Sequence, residues 1–347
     1  MKNKIPIIEV KPIMSDSEIE KKEGSYFPES HYNKIIKSDC DVYGILEDGT
    51  KKLLVKFRKN VISPSICKAA YLALEKHAQH RNYNRGAAAG KLKLNKLPEY
   101  VGKITKRDSF RIFYKTRDGK KTKDNVGNMA MSNIAGYYDK PDRNEYLKLK
   151  KTKKNTTKDM NATTRKTGIK RNTGEKGKPW IGTGVDMYGI PLCRTTQFTK
   201  EEIDKWVDTV PFIKEADKQF KQLIPDRHVI QHKRASITPK YQIDNTAYST
   251  ITLNYDWRTA LHKDKGDLEE GFGNLLVLEK SKSIPGSCKD YKGAYLGFPK
   301  WGICVDVRQG DFLAMDVHEW HCNTPIIGTG RLSVVCYLRK NMINCAR

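Results

Sequence analysis

The first clear pattern of apolar and polar positions lies between residues 41 and 59. Residues 42–46 and 53–57 are rich in apolar side chains, and Glu47-Asp-Gly-Thr50 separates the two runs. An Asp-Gly pair between two such runs is typical of a tight β-turn. The pattern therefore predicts a β-hairpin.

A helix is predicted immediately after the hairpin. Ser63 can accept hydrogen bonds from the first backbone N–H groups, and Pro64 suits the first helical position because it has no N–H to satisfy. This helix should run to about residue 80. Residues 1–30, in contrast, are charged and show no clear period, which predicts an extended arm.

A second helical segment is predicted from residue 199. Thr199-Lys-Glu-Glu202 has the form of a capping box, in which Thr199 would cap the helix. The helix is expected to reach about residue 208, and Pro211 would restart or kink it. Its continuation carries apolar residues at helical spacing that predict a core face: Phe212, Ile213, Ala216, Phe220 and Leu223.

From about residue 228 the pattern changes to short apolar runs separated by turn residues. These runs predict strands over residues 247–254, 274–278, 294–298, 303–307, 311–315 and 332–338. Many short strands with turns between them are typical of a sandwich or jelly roll. The predicted fold class is therefore α+β, with a jelly-roll core and flanking helices.

Residues with metal-ligand chemistry interrupt this strand series. In Arg258-Thr-Ala-Leu-His262-Lys-Asp264, the last histidine and aspartate are two apart and would share one face of a strand. A histidine from a distant strand would complete a facial triad, which favours Fe(II) and leaves positions open for a bidentate co-substrate and O2. His318 and His321 are three apart and face opposite sides of a regular strand, so only one should join. We favour His321, with His318 either a hydrogen-bond partner of the site or a surface histidine.

Arg331 lies ten residues beyond His321, at the start of an apolar run. Its planar guanidinium could clamp the distal carboxylate of 2-oxoglutarate. A lone His-x-Asp pair is weak evidence, and it could be an accidental surface pair. Followed in order by a strand series, a distal histidine and an arginine, it indicates a metal centre made by His262, Asp264 and His321.

Four segments around these residues form a set: Arg258-Thr-Ala-Leu-His262-Lys-Asp264-Lys-Gly-Asp267, Gly297-Phe-Pro, Val305-Asp-Val-Arg-Gln-Gly310-Asp311 and His321-Cys-Asn-Thr. The set resembles the TET/JBP family of Fe(II)- and 2-oxoglutarate-dependent dioxygenases, which oxidise the C5-methyl group of pyrimidines in nucleic acid. The resemblance covers about residues 235–340 and is closer to the J-binding-protein and phage branch, which hydroxylates thymine, than to animal TET enzymes. One departure is Cys322, where glycine is expected; a cysteine beside an iron ligand is oxidisable.

The resemblance implies a double-stranded β-helix core and the cofactors Fe(II), 2-oxoglutarate and O2. The metal would be held by His262, Asp264 and His321, and the co-substrate by Arg331. The implied partner is DNA. Because a base inside a duplex cannot reach a metal in a cavity, the target base must flip out.

Three further residues are candidate contacts. Arg258 could contact the other end of the co-substrate or the base, or form a salt bridge at a strand end. Asp267 could accept a hydrogen bond from the flipped base, or serve as a turn residue in Lys-Gly-Asp. Arg85 opens Arg85-Gly-Ala-Ala-Ala-Gly90, a weaker part of the resemblance, which could lie near the active-site mouth or a phosphate, or pack on a strand as a small-residue turn.

The charge of the chain bears on its partner. Lys and Arg total 65 against 40 Asp and Glu, for a formal net charge of +25 and a pI of about 9.6, which indicates a polyanion. Residues 143–178 hold 13 basic and 3 acidic residues, a local net charge of 13 − 3 = +10. This segment predicts salt-sensitive contact with nucleic acid, or else a solvated linker or a localisation signal. DNA is favoured over RNA, although charge alone does not separate them.

The eight cysteines are scattered and form no Cys-x-x-Cys pair. Such spacing favours reduced intracellular thiols over a disulfide framework or a zinc ribbon. The N-terminus lacks an apolar signal-peptide core, and no apolar run of about 18 residues predicts a membrane span. An intracellular protein is therefore expected, without a distinction between nucleus and cytoplasm.

The sequence thus predicts three parts and one function. The parts are an N-terminal α+β region over residues 1–142 packed on the core, a basic linker or insert over residues 143–178, and a jelly-roll core with a preceding helix over residues 179–347. The function is oxidation of the C5-methyl group of thymine or 5-methylcytosine in DNA, to hydroxymethyl or beyond. Two alternatives stay open: an oxygenase acting on RNA or protein, and a nucleic-acid-binding jelly roll without catalysis.

Overall fold

The computed structural model describes residues 5–120, 122–141, 184, 191–287 and 290–346. The basic segment predicted over residues 143–178 lies outside the described residues. The chain divides into two compact units: residues 1–133, 252–265 and 273–335 form the first, and residues 134–251, 266–272 and 336–347 form the second. The three-part division of the sequence stays a prediction.

The described strands are, in chain order, β1 (Ile7–Val10), β2 (Lys34–Ile36), β3 (Cys40–Ile45), β4 (Lys51–Arg58), β5 (Val101–Arg107), β6 (Ile112–Thr116), β7 (Thr122–Val126), β8 (Ser132–Tyr138), β9 (Arg194–Thr195), β10 (Thr250–Tyr255), β11 (Gly273–Glu279), β12 (Lys292–Gly293), β13 (Leu296–Phe298), β14 (Ile303–Val305), β15 (Phe312–Met315), β16 (Cys322–Asn323), β17 (Ile326–Ile327) and β18 (Arg331–Tyr337). The described α-helices are α1 (Asp16–Glu20), α2 (Pro64–Ala78), α3 (Gln197–Glu201), α4 (Ile203–Leu223), α5 (Pro225–Ala235) and α6 (Lys280–Ser283). None of these helices combines the length and apolar character needed to cross a membrane.

The core of the first unit lies between a large and a small sheet. Within the first unit, the strands of the large sheet have the order β1-β3-β4-β15-β11-β18-β10, and the small sheet has the order β16-β13-β14-β2. Side chains from both sheets meet in one buried cluster that includes Phe57, Leu275, Phe298 and Val305. Two facing sheets of short, mainly antiparallel strands make a double-stranded β-helix, so the predicted α+β fold with a jelly-roll core is confirmed.

The local signals near the N-terminal hairpin are confirmed. Strands β3 and β4 pair in antiparallel fashion around the Asp48-Gly49 turn. Helix α2 has Ser63 as its N-cap, whose hydroxyl accepts a hydrogen bond from the Ile66 N–H, and Pro64 occupies its first turn. Both elements are fixed by residues next to each other in sequence, which explains why they could be predicted.

The prediction of an extended arm over residues 1–30 was wrong. Strand β1 pairs in parallel with β3, and α1 begins with a capping box between Ser15 and Glu18. Ile19 is fully buried in a cluster with Phe27 and Leu261. The partners of these elements are distant in sequence, so local periodicity did not show them.

In the second unit, the capping box predicted at Thr199 was also wrong. Thr199 lies inside α3, whose N-cap is Thr196, and the Thr199 hydroxyl accepts a hydrogen bond from the Gly136 N–H at 2.7 Å. Helix α4 continues through Pro211 without a break. Its core face is confirmed, because Phe212, Ile213, Ala216 and Phe220 are buried and Leu223 is half-buried.

One cysteine pair corrects the expectation of reduced thiols throughout. Cys193 and Cys345 form a disulfide in the second unit, with their Cα atoms 5.8 Å apart. They are 152 residues apart in sequence, so their spacing gave no sign of the pairing. The other described cysteines are free and buried: Cys40, Cys67, Cys304, Cys322 and Cys336.

Candidate metal centre

Three side chains with metal-ligand chemistry converge in the first unit. One ligand atom from each of His262, Asp264 and His321 lies within 4.8 Å of the others. The His262 Nε2 is 3.7 Å from the Asp264 Oδ1, and the His321 Nε2 is 3.7 Å from the Asp264 Oδ2. Two imidazoles and one carboxylate thus face a common point.

The backbone holds the two histidines side by side, outside any regular strand. The N–H of His262 donates to the carbonyl of His321, and the N–H of His321 donates back to the carbonyl of His262, both at 3.1 Å. The Asp264 N–H donates to the Val317 carbonyl at 3.0 Å. The reciprocal bridge, rather than the strand alternation predicted from the sequence, therefore sets the geometry.

Two carbonyl oxygens orient the imidazole rings. The Nδ1 of His262 lies 2.7 Å from the Ala260 carbonyl, and the Nδ1 of His321 lies 2.9 Å from the Glu319 carbonyl. A carbonyl oxygen only accepts, so each Nδ1 must donate its hydrogen. The lone pair of each Nε2 is then directed at the common point, which is the arrangement of metal-ligating histidines.

The electrostatics keep these groups in their ligating forms. Burial, followed by the neighbouring His321, lowers the pKa of His262 to about 4. Burial raises the pKa of Asp264, but His262, His321 and Arg85 lower it more, so the net shift is downward. At neutral pH the His262 imidazole is neutral and the Asp264 carboxyl is ionised.

His318 does not join this group. It lies in the turn after β15, and its Nδ1 is 3.5 Å from an oxygen of Asp316. The same Asp316 forms an ion pair with Lys52 at 2.9 Å. His321 therefore provides the third side chain of the cluster, as favoured from the sequence.

Arg331 is buried and has little to bind within the protein. Its side chain is 2% exposed, and among the described residues its Nε has no hydrogen-bond partner and no carboxylate forms an ion pair with its guanidinium. The guanidinium carbon lies 5.8 Å from the centre of the Tyr291 ring. A buried cation without an anion is costly, which indicates a site for an anionic group.

Both observations fit the implied cofactors. Two imidazoles and a carboxylate are the donor set that non-haem Fe(II) oxygenases use. The unpaired Arg331 guanidinium has the planar fork that binds a carboxylate in bidentate fashion. The residues of this chain thus suit Fe(II) and a dicarboxylate co-substrate.

Arg258 is engaged by the protein itself. Its Nε donates to the Asn323 carbonyl at 3.0 Å, and its Nη2 donates to the Phe27 carbonyl at 2.6 Å. Its guanidinium also lies over the Tyr26 ring, 4.8 Å from the centre. These contacts account for Arg258 as a residue that fixes the segment after His321, and its contact with co-substrate or base stays a prediction.

Cys322, beside His321, is less reactive than its position suggested. It is fully buried, and its Sγ lies 3.3 Å from the Tyr32 hydroxyl. Burial raises the pKa of its thiol to about 11. The thiolate is the oxidisable form, so this environment protects the cysteine.

The other two predicted substrate contacts differ in their surroundings. Arg85 is half-buried, its Nε has no partner among the described residues, and its charge lowers the pKa of Asp264. Asp267 belongs to the second unit, where it is buried and lies 3.9 Å from the Nη1 of Arg339. That ion pair accounts for its burial, and its role in base recognition stays a prediction.

Sequence reasoning missed two residues that shape the Arg331 site. The carboxylate of Asp256 accepts hydrogen bonds from the backbone N–H groups of Gly330 and Arg331, at 2.9 and 2.8 Å. Tyr291 lies beneath the guanidinium. Neither residue belongs to a motif that could be recognised in the sequence. Asp256 and Arg331 are 75 residues apart along the chain, and only the folded sheet brings them together.

Comparison with known proteins agrees with this geometry. Residues 184–340 match the TET/JBP family profile, described as the oxygenase domain of the 2OGFeDO superfamily. The bifunctional helicase and thymine dioxygenase JBP2 of Leishmania tarentolae is 33% identical over 156 residues, 44% of this chain and 13% of the relative. Thymine dioxygenase JBP1 of Trypanosoma brucei brucei is 31% identical over 179 residues, 50% of this chain and 20% of the relative.

A solved structure, NgTET1 in complex with 5mC DNA, is similar over 94% of this chain and 92% of its own, with a TM-score of 0.42 and 11% identity. The chain spans only 13% and 20% of the length of the two curated relatives, so their activities do not transfer as a whole. What the matches have in common is an oxygenase domain: residues 184–340 of this chain match the profile of the TET/JBP oxygenase domain.

Proposed function

We propose that this protein is an Fe(II)- and 2-oxoglutarate-dependent dioxygenase that oxidises the C5-methyl group of a pyrimidine in DNA. The observation that carries the proposal is the cluster of His262, Asp264 and His321, with both Nδ1 atoms held by carbonyl oxygens. The buried and unpaired Arg331 adds a site for a carboxylate. The relatives that match this domain are named as thymine dioxygenases.

Each residue has a defined task in this proposal. His262, Asp264 and His321 would hold Fe(II), and Arg331 would bind the distal carboxylate of 2-oxoglutarate. Together with O2, the bound cofactors supply the oxidation of an unactivated C–H bond. The carbonyls of Ala260 and Glu319 keep the histidine rings aligned, so the ligand geometry is set before the cofactors arrive.

The substrate is proposed to be a base flipped out of duplex DNA. The net charge of +25 supports a polyanionic partner, and the methyl group of a stacked base is out of reach of a buried site. Arg85 is the best-placed of the predicted substrate contacts, because its charge acts on Asp264 and its Nε is unpaired among the described residues. Thymine is favoured over 5-methylcytosine by the names of the matching relatives.

An intracellular location follows from the proposed substrate. DNA is available as a substrate inside a cell or organelle. Five of the described cysteines are free thiols, which is typical of a reducing compartment. The Cys193–Cys345 disulfide is the exception among the described residues.

Nucleoside mass spectrometry tests the proposal. Protein loaded anaerobically with Fe(II) is given 2-oxoglutarate, air and duplex DNA that carries both thymine and 5-methylcytosine. We expect a hydroxymethyl product on one of the two bases, and none from the His262→Ala/Asp264→Ala variant. His318→Ala, a histidine outside the cluster, is the matched control and should retain activity.

Two results would contradict the proposal in different ways. Consumption of 2-oxoglutarate without any product on DNA would retain the oxygenase and redirect the substrate to RNA or protein. An absence of both turnover and bound iron in the wild-type protein would reject the metal centre.

A further inference from the structure

A separate three-stranded sheet of the first unit, formed by β5, β6 and β7 in that order, is strongly basic. Residues 91–120, which include β5 and β6, contain ten Lys or Arg and three acids, a net charge of 10 − 3 = +7. All ten cations are exposed. In the sequence, this cluster of cations is separate from the basic segment predicted over residues 143–178. The sequence pattern alone did not predict a function for the cluster.

The sheet has one packed face and one open face. Ile112, Tyr114 and Val126 are buried and form a small core. Phe113, between two of them on β6, points to the opposite face and is only partly covered. The Nζ of Lys106 and the guanidinium carbon of Arg111 each lie 6.0 Å from the centre of its ring. An aromatic ring flanked by cations is typical of surfaces that bind nucleic acid.

Most of these cations form no ion pair with a carboxylate of the described residues. Arg111 forms an ion pair with Asp108 at 2.8 Å. Lys103, Lys106 and Lys115 form no ion pair with a described carboxylate. Three lysines on α4 of the second unit differ: Lys205, Lys214 and Lys218 are paired with Glu202, Asp244 and Glu215.

The basic sheet is tied to the metal centre by a short series of hydrogen bonds. The side-chain amide of Asn128, just after β7, donates to the carbonyls of Ala89 and Lys91 at 2.9 Å each. The neighbouring Ala88 carbonyl accepts the N–H of Ala260 at 2.9 Å. Ala260 in turn accepts the Nδ1 hydrogen of His262. A partner fixed on the sheet is therefore held in a defined position relative to the metal ligands.

We infer that the open face of β5–β7 binds the phosphate backbone of duplex DNA and positions the strand for oxidation. The cations recognise phosphate without reading sequence, which suits an enzyme that must hold the duplex while one base is displaced. The inference rests on the proposed function for its choice of DNA. It assigns the contact to the surface of β5–β7, whereas the sequence predicted such a contact for the 143–178 segment.

The test compares two variants of the full chain that lose the same charge. Lys103→Gln/Lys106→Gln/Lys115→Gln removes unpaired cations of the sheet, and Lys205→Gln/Lys214→Gln/Lys218→Gln removes three paired cations of α4. Duplex DNA affinity is measured by fluorescence anisotropy from about 50 to 200 mM salt, in a range where counterion release dominates. Thermal unfolding followed by circular dichroism checks that both variants are folded.

We expect the sheet variant to bind about 10- to 100-fold more weakly, with the slope of log K against log salt reduced by about 2 to 3. The α4 variant should stay within about 2-fold of wild type, because its lysines are already paired. Lys103→Arg/Lys106→Arg/Lys115→Arg should bind like wild type, since the charges remain.

Equal losses in the two Gln variants would overturn the inference, because binding would then follow total charge. So would an unchanged sheet variant, or a wild-type protein that prefers duplex RNA or vesicles of phosphatidylserine to duplex DNA. The oxidation assay distinguishes this failure from that of the proposed function. A hydroxymethyl product with normal binding by the sheet variant rejects only the sheet, and sheet-dependent binding without product rejects only the oxidation.

Discussion

Two arginines, both candidates from the sequence for contact with the co-substrate, lie in opposite environments. Arg258 is half-buried and gives its hydrogen bonds to the carbonyls of Asn323 and Phe27. Arg331 is almost fully buried, yet among the described residues its Nε has no partner. The carbonyls of the protein accept from Arg258, whereas no acceptor among the described residues does the same for the Arg331 Nε.

The comparison shows how to separate structural from functional cations. A buried donor that has an acceptor within the protein contributes to stability. A buried donor without an acceptor lowers stability until a ligand provides one. Lys52 is a third case, because its ammonium contacts the carboxylates of Asp316 and Glu319. The three cations should therefore respond differently to removal.

The largest effect is expected at Arg331. Replacing it in Arg331→Gln removes a bidentate, charge-assisted contact worth about 3 kcal/mol, so the KM for 2-oxoglutarate should rise about 100-fold. The free energy of unfolding should stay constant or increase, because a buried charge without an acid is lost. Steady-state succinate formation and urea unfolding measure the two quantities.

Arg331→Lys is the matched control, since it keeps the charge but not the fork, and it should fall between wild type and the Gln variant. A wild-type KM in Arg331→Gln would place the co-substrate carboxylate elsewhere.

A smaller effect of the opposite kind is expected at Arg258. Arg258→Met leaves the carbonyls of Asn323 and Phe27 without their donors and should lower the free energy of unfolding by about 2 kcal/mol. The KM for 2-oxoglutarate should change less than about 3-fold, since the guanidinium is committed to the backbone. If instead KM rises as much as in Arg331→Gln while stability is unchanged, Arg258 is a co-substrate contact after all.

The smallest effect is expected at Lys52, and it should depend on pH. Burial raises the pKa of Asp316, but hydrogen bonding from His318 and the charge of Lys52 lower it more, so the folded pKa lies below the unfolded value. Such a group contributes stability above its unfolded pKa of about 3.9 and loses it as pH falls through the folded pKa.

Lys52→Met should therefore lower the free energy of unfolding by about 1 kcal/mol at neutral pH, a modest value because the side chain is partly exposed. The difference from wild type should be smaller in urea titrations carried out at about pH 2 than at neutral pH, because the ion pair is lost as pH falls through the folded pKa of Asp316. A difference that is the same at both pH values would show that packing of the lysine stem, not its charge, is responsible.

The sequence predicted those features whose cause is local. The Asp48-Gly49 turn and the Ser63-Pro64 helix start act on adjacent residues, so no tertiary information was needed. The His262-x-Asp264 pair was also identified from local spacing, although an isolated bridge to His321 and not a regular strand holds it in place. The series of predicted strands that follows this pair in the sequence supported the prediction of a metal centre.

Other features depend on partners that sequence spacing does not reveal. Thr199 did not cap a helix because the distant Gly136 N–H uses its hydroxyl. Arg258 reaches a carbonyl 231 residues away, and the ring orientation of His321 depends on the carbonyl of Glu319, an atom that every residue has. The identity of a side chain can suggest a role for these residues, but only the fold determines which groups they contact.

The reciprocal bridge between His262 and His321 has a consequence for how the protein and its metal depend on each other. It closes a loop of 321 − 262 = 59 residues through backbone hydrogen bonds alone. In polymer terms, joining the ends of such a loop costs roughly 3 to 4 kcal/mol of chain entropy, and here folding of the sheets has already met that cost. Iron would enter a ring that is closed in advance, unlike the ion of a zinc finger, which must order the chain that binds it. We therefore expect the protein to stay folded whether or not these side chains hold a metal.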